Sequence, residues 1–424
     1  MKYPAKSGAA LLMGGQFLFV VTTYIIHLYL ARRLDVESYG DYALTLSLLQ
    51  SLQIAIQNGV PEIHSREIAR NGYSKNARLS ALKTQVIYSM AVMGILAIAG
   101  PLFASAFGDK TWIIYLWLGA LLVPARAAFL VLKAAFNGSR MYGHDAGLIV
   151  FYSIIRIVPV VVLVEMGFGV TGVIVGFVIG AAVAAFGAYL LKTPDSKDSY
   201  IKTNWKTLFY SSLPVTFFGI LYNSLANMDL ILLRLLGDSQ FDVGLYGAVW
   251  TISRAGFVML LSLSFAALPA VSASVQSLKL MKHVKRSTGL AFLATFAILA
   301  VLVVDGKGVL ELFYPDAYGA GGRALAVAYT GSIFIAFAVL QGNILIAFRR
   351  QQKIYLPFLA AISTCIFAAF LLIPPLGIMG AAFVIAIGGI VSFTLMSFIA
   401  GKHSSLPDFK LLFCVAVSFG ISLI

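Results

Sequence analysis

Three arginines, Arg126, Arg156 and Arg254, stand deep inside long apolar runs of a 424-residue chain. Each lies roughly 15 to 20 Å in from the end of its run at a helical rise. A guanidinium stays charged and offers five donors in a planar fork, so its natural ligand is an anion. At the centre of a bilayer such a group costs about 2.5–3.5 kcal/mol, and it therefore faces a partner or a water-filled cavity. Asp229 closes a polar patch with Asn223 and Asn227 in the stretch Asn223-Ser-Leu-Ala-Asn-Met-Asp229. With Glu165 it supplies the acids inside the apolar runs. Two readings follow: a hydrated cationic cavity that solvates an anionic substrate, or structural pairs such as Asp229 with Arg254. Arg33 and Arg66, at run ends, are further cavity candidates, and Asp229, Asn223 and Asn227 are polar or coupling candidates. Lys133 and Arg234 sit near enough to run ends to snorkel. His27 and His64 read as interfacial or structural rather than as proton relays.

Bond-making chemistry has no comparable support. There is no G-x-S-x-G, H-E-x-x-H or phosphate loop, and Gly319-Ala-Gly321-Gly322 lacks a strand-to-helix setting. The two cysteines, Cys365 and Cys414, both lie in apolar runs, which excludes a disulfide framework and a zinc site. No catalytic residue, metal or cofactor is called for, while coupling to H+ or Na+ is left open.

These residues must be positioned by membrane helices. Hydrophobic residues make up 60% of the chain and charged ones 11%, too few charges to cover a soluble protein of this length. Mean hydropathy is +0.91. Apolar runs of about 20 residues cross a bilayer as helices, and their lengths exclude a β-barrel. The expected spans are 8–30, 42–60, 81–107, 112–136, 146–166, 170–191, 207–236, 244–270, 288–304, 323–348, 354–373 and 377–400. The first is too long for a signal-peptide core and is read as retained. The fold class is thus an all-α polytopic membrane protein of about 12 helices. Of the Lys and Arg in loops and span ends, 21 fall on the side of the N-terminus and six opposite, which places the N-terminus in the cytoplasm of a multi-pass cell-membrane protein. The net charge of +14 is then a topology signal with a contact to anionic membrane lipids, not a nucleic-acid footprint. The longest loop opposite, about 305–322, is too short to hold a catalytic domain.

The chain repeats itself. Gly40-Asp41-Tyr42-Ala43 matches Gly244-Leu245-Tyr246-Gly247-Ala248, Ala135-Phe136 matches Ala347-Phe348, and Gly169-Val170-Thr171-Gly172 with Gly180 matches Gly377-Ile378-Met379-Gly380 with Gly388. The offsets are 204, 212 and 208 residues. Six helices separate the copies, so both halves cross in the same sense, related by a pseudo-two-fold along the membrane normal. The expected domains are an N-lobe at 1–191, a cytoplasmic linker at 192–206, a C-lobe at 207–400, and a tail at 401–424 holding an interfacial helix or a marginal span.

Leu30-Ala-Arg-Arg33 followed by Tyr39-Gly-Asp-Tyr-Ala43 resembles the start of polysaccharide-repeat-unit flippases of the multidrug/oligosaccharidyl-lipid/polysaccharide exporter superfamily. Asp229-Leu-Ile-Leu-Leu-Arg234 with Val243-Gly-Leu-Tyr246 resembles their second half. The resemblance implies two six-helix lobes working by alternating access. Its implied substrate is a polyprenyl-diphosphate-linked oligosaccharide, moved from the cytoplasmic to the outer leaflet for cell-surface polysaccharide (lipopolysaccharide or capsule) biosynthesis. Polysaccharide polymerase machinery is the protein partner it would imply. Two rivals remain: a cation-coupled multidrug exporter of the same superfamily, and a membrane glycan polymerase. The first expects acids in early spans, where this reading leaves Asp41 and Glu62 only flanking span two; the second lacks its catalytic loop.

Overall fold

A computed structural model describes residues 5–191, 204–237, 239–274, 278–347 and 353–401. All but the first residue of the expected tail at 401–424, the loop around Arg349 and all but the end of the 192–206 linker lie outside these. The described residues form helices α1 Ala5–Arg33, α2 Val36–Gln57, α3 Val60–Asn71, α4 Lys75–Phe107, α5 Thr111–Gly138, α6 Tyr142–Ile155, α7 Ile157–Glu165 and α8 Gly169–Leu190. They continue with α9 Trp205–Leu236, α10 Gln240–Ser274, α11 Leu278–Phe313, α12 Gly322–Ala347, α13 Tyr355–Leu376 and α14 Ile378–Gly401. A 3-10 turn, Asp316–Gly321, precedes α12.

Ten stretches among the described residues are long and apolar enough to cross a membrane. They fall on expected spans one, three to seven and nine to twelve. The positions of spans two and eight are taken by α2 and α10, which are not among the ten; α2 carries Glu37, Asp41, Gln50, Gln53 and Gln57. Phe17, Ile98, Leu102, Phe367 and Phe370 are exposed. On a protein in water such faces would be adhesive patches, whereas in a bilayer they meet lipid.

Local chemistry sets the helix ends. The Asp35 carboxylate accepts the Ser38 amide at 2.9 Å and its hydroxyl at 2.7 Å, so α2 starts at Val36. The Ser38 amide holds the Asp35 carboxyl below its ordinary range. This start corrects one expectation: Asp41 lies inside α2 and is buried, rather than flanking a span. Pro61 starts a new helix rather than ending one. It opens α3 after Gly59 at φ +78°, because a proline lacks only an N–H that a first helical turn leaves unbonded. Pro159 acts oppositely within expected span five, where its missing N–H divides α6 from α7 at Arg156. The expected loop at 305–322 is mostly helical, since Asp305 leaves helical torsions, accepts the Gly308 amide at 2.8 Å and restarts α11.

By contacts the chain groups into two compact units, Met1–Leu34 with Leu48–Ile220 and Asp35–Ser47 with Leu221–Ile424. In the first, Gly172, Gly176 and Gly180 of α8 press against Leu163, Val160 and Arg156, so that a side-chain carbon on Gly180 would lie 2.7 Å from the Arg156 Cα. In the second, α12 is almost wholly buried and packs on α10 and α14. There Gly380 of α14 lies on Leu372 and Gly388 on Cys365 of α13. The matched motifs thus do matched work, fitting α8 to the α6–α7 arm and α14 to α13. The turns before them also agree, with Gly169 at φ +52° and Gly377 at φ +50°, a region that favours glycine.

Candidate functional site

In the first unit α5 and the α6–α7 junction bring Arg126 and Arg156 to one ring, that of Tyr152 on α6. The guanidinium carbons of Arg126 and Arg156 lie 5.7 Å and 5.4 Å from the Tyr152 centroid, and Arg126 Nη1 donates to the Tyr152 hydroxyl at 3.2 Å. Phe129 and Phe19 flank the same tyrosine, with centroids at 5.2 Å and 6.0 Å. Arg156 is buried (4% exposed). It donates to the Phe19 carbonyl and the Thr22 hydroxyl, both at 3.2 Å, and to the Thr23 hydroxyl. Its guanidinium also lies 4.3 Å from the Phe19 centroid. These are neutral groups replacing water around a cation, three of them on α1. Arg126 is half-buried. Among the described residues no carboxylate lies within ion-pair distance of it, and its Nε is buried without a hydrogen-bond partner.

Arg33 and Arg66 have carboxylate partners of their own. Arg33 Nε meets Glu165 at 2.9 Å, where the Tyr29 hydroxyl also donates, at 2.7 Å. Arg66 pairs with Glu62 one turn away on the exposed face of α3. Lys133 does not snorkel: its ammonium lies 3.1 Å from the fully buried Asp145, whose other oxygen accepts Asn137 at 2.6 Å. Asp145 was missed from sequence because it precedes its apolar run; the signal was Lys133 and Asn137 four apart on one helix face.

In the second unit α9 and α10 assemble the other candidates. Arg254 donates to Asn227 Oδ1 at 2.8 Å and lies 4.7 Å from the Trp250 centroid. Asn227 in turn donates to the Asn223 carbonyl at 2.6 Å. Asp229 accepts the Tyr246 hydroxyl at 2.8 Å, so the hydrogen bond Arg254 sends to this patch goes to the amide, not the acid. Arg234 reaches Gln240 at 3.4 Å, and Gln240 donates to Asp41 at 3.3 Å. A tyrosine cluster unseen in the sequence joins α2 to the segment between α11 and α12, with Thr251 of α10 beside it. The Tyr39 hydroxyl is 3.1 Å from that of Tyr314 and 3.3 Å from Thr251, with Tyr318 edge-on at 5.6 Å. Among the described residues no group of His, Cys, Asp and Glu could hold a metal ion.

This helical arrangement is the fold of a class of membrane transporters. A multidrug resistance MATE family transporter of the MOP superfamily matches in its inward-facing conformation (TM-score 0.67, 16% identity, 94% of this chain and 99% of that one). It also matches in its outward-facing conformation (TM-score 0.68, 15%, 95% and 97%). The lipid II flippase MurJ, in an inward closed conformation, matches with a TM-score of 0.69 at 12% identity, over 96% and 97% of the two chains. The chain itself belongs to the polysaccharide biosynthesis protein family, whose model matches residues 5–275. The capsular polysaccharide biosynthesis protein CapF of Staphylococcus aureus is 21% identical over 367 residues, 84% of this chain and 89% of that one.

Proposed function

We propose that this protein is a flippase for polyprenyl-diphosphate-linked oligosaccharide repeat units. It carries them from the cytoplasmic to the outer leaflet by alternating access, with its N-terminus in the cytoplasm, and is not itself an enzyme. The observation that carries this reading is Arg126: a cation inside a membrane helix with a buried donor and, among the described residues, no carboxylate within ion-pair distance. A guanidinium left so is matched to an anionic headgroup. A diphosphate sugar is such a headgroup, and family membership supports a polysaccharide precursor as its bearer. The buried Asp41 removes the sequence argument against a cation-coupled drug exporter, and family membership is what supports the flippase reading over it. A strain lacking the protein tests this. Lipid-linked repeat units should accumulate on the inner leaflet. Drug sensitivity without accumulation would favour an exporter, and single units already in the outer leaflet a polymerase.

A further inference from the structure

We propose that a groove between α4 and the start of α9 is a binding site for one acidic phospholipid of the phosphatidylglycerol type. The inference goes beyond the reading above and rests on it only for the leaflet, which the proposed orientation makes the cytoplasmic one.

The groove, of about 400 Å³, is walled by Leu79, Leu82, Val86 and Ile87 of α4 and by Trp205 of α9, with Lys83 among them. All of these belong to the first unit. Its walls are fixed. The Thr84 hydroxyl donates to the Trp205 carbonyl at 3.2 Å. One turn further along α4, the Tyr88 hydroxyl lies 3.0 Å from that of Ser212, and Phe209 stacks on Tyr88 with centroids at 5.3 Å. A surface held so loses little freedom when it is filled. Leu79, Val86 and Ile87 are exposed, so the slot is open along its length.

Depth in the bilayer divides the slot in two. α4 has 33 residues, about 50 Å of helix, against about 30 Å of hydrocarbon. Counted back from its far end at Phe107, about 20 residues cross the hydrocarbon and reach Ile87. Val86 and Ile87 thus meet acyl chain. Lys83, about one turn further out, stands at headgroup level beside an indole, a ring that favours this layer.

The charge at that level has one sign. The Lys206 ammonium lies 5.8 Å from the Trp205 ring centroid, so Lys83 and Lys206 flank one indole. Among the described residues neither lysine has a carboxylate within ion-pair distance. α4 carries no Asp or Glu, nor does α9 before Asp229, while Lys75 and Arg78 add positive charge along α4. An apolar slot that ends in two ammonium groups at headgroup depth complements an acyl chain that ends in a phosphate. A zwitterionic headgroup offsets that attraction with its own cation, whereas a net anionic one keeps it.

The test uses the purified full-length protein in phosphatidylcholine nanodiscs doped with either phosphatidylglycerol or phosphatidylcholine brominated on its acyl chains, since bromine quenches an indole it touches. Quenching at Trp205 is read as the difference between the wild type and Trp205→Phe. Half-quenching should come at a mole fraction of brominated phosphatidylglycerol about fivefold or more below that of brominated phosphatidylcholine, the worth of one lysine at a membrane surface. Lys83→Gln combined with Lys206→Gln, both exposed positions, should make the two lipids equal. Raised salt should narrow the gap in the wild type. Equal quenching by both lipids in the wild type, no quenching of Trp205 by either, or a preference that survives in the double variant would each overturn the site. A short-chain polyprenyl diphosphate that relieves the quenching at a concentration where unbrominated phosphatidylglycerol does not would assign the groove to the transported lipid and overturn it too. Accumulation of lipid-linked units in the deletion strain depends on none of these outcomes, so the two readings fail separately.

Discussion

Gly40 and Gly244, mates in the internal repeat, touch each other: a side-chain carbon on Gly40 would lie 2.7 Å from the Gly244 amide nitrogen and 2.9 Å from its Cα. One on Gly244 would lie 2.0 Å from the Val36 carbonyl oxygen. The first turns of α2 and α10 thus meet backbone to backbone, a contact only small residues permit. Tyr39 and Asp41 beside it bond to Thr251, Tyr314 and Gln240.

Gly40→Ala should therefore cost about 1–3 kcal/mol through overpacking against rigid backbone. Thermal unfolding of the detergent-solubilised protein checks this, with Gly94→Ala as control, since nothing lies within 4 Å of a carbon added there. The control should melt at or above the wild-type temperature; equal melting of Gly40→Ala and wild type would refute the close contact.

His64 gives a pH dependence. It is fully buried on α3, both ring nitrogens lack hydrogen-bond partners, and burial, with Arg78 adding to it, draws its pKa down from 6.5 to about 4. Between those values the unfolded chain binds a proton that the folded one refuses, so stability falls as pH drops from 6.5 and levels off near 4. The full loss is about 3 kcal/mol. His64→Leu should flatten that part of the melting-temperature profile; an unchanged slope would assign it elsewhere.

The two arginines around Tyr152 should behave differently. Arg156→Ala removes a group tied to α1 by three hydrogen bonds and should lower folded yield, at about 1.5–3 kcal/mol for charged bonds. Arg126→Ala should leave membrane expression near normal yet reduce export about tenfold, the worth of one charge contact. Similar loss of protein in both variants would make Arg126 structural. Likewise Arg254→Lys should retain more export than Arg254→Ala.

Orientation is tested by labelling. Cysteines placed in 279–286 and 349–353, which carry seven of the inside charges, should react with an impermeant reagent only from the cytoplasmic face. Labelling of both from outside would reverse the topology.

Membrane helices, their repeat and the arginines inside them were legible because apolar length, matched glycines and misplaced charge are local signals. Gly169 and Gly377 are the clearest case, since one sequence motif carries one backbone torsion. What was lost depended on geometry that hydropathy does not carry. The start of α2 follows from the Asp35 cap, which sits outside any apolar run and moved Asp41 into the helix. The partners of Lys133 and Arg126 arise across the α5–α6 turn, where Arg140 adopts φ +58°, a torsion composition does not announce. Nor do tyrosines scattered from 39 to 318 show, as a list, that their hydroxyls converge.

The central claim is tested most directly by reconstitution. The purified protein is placed in liposomes carrying a polyprenyl-diphosphate-linked oligosaccharide, and the fraction reached by an impermeant sugar-oxidising reagent is followed in time. Translocation should rise with protein content and drop about tenfold for Arg126→Ala at equal incorporation. Exposure no faster than in protein-free liposomes would contradict the account.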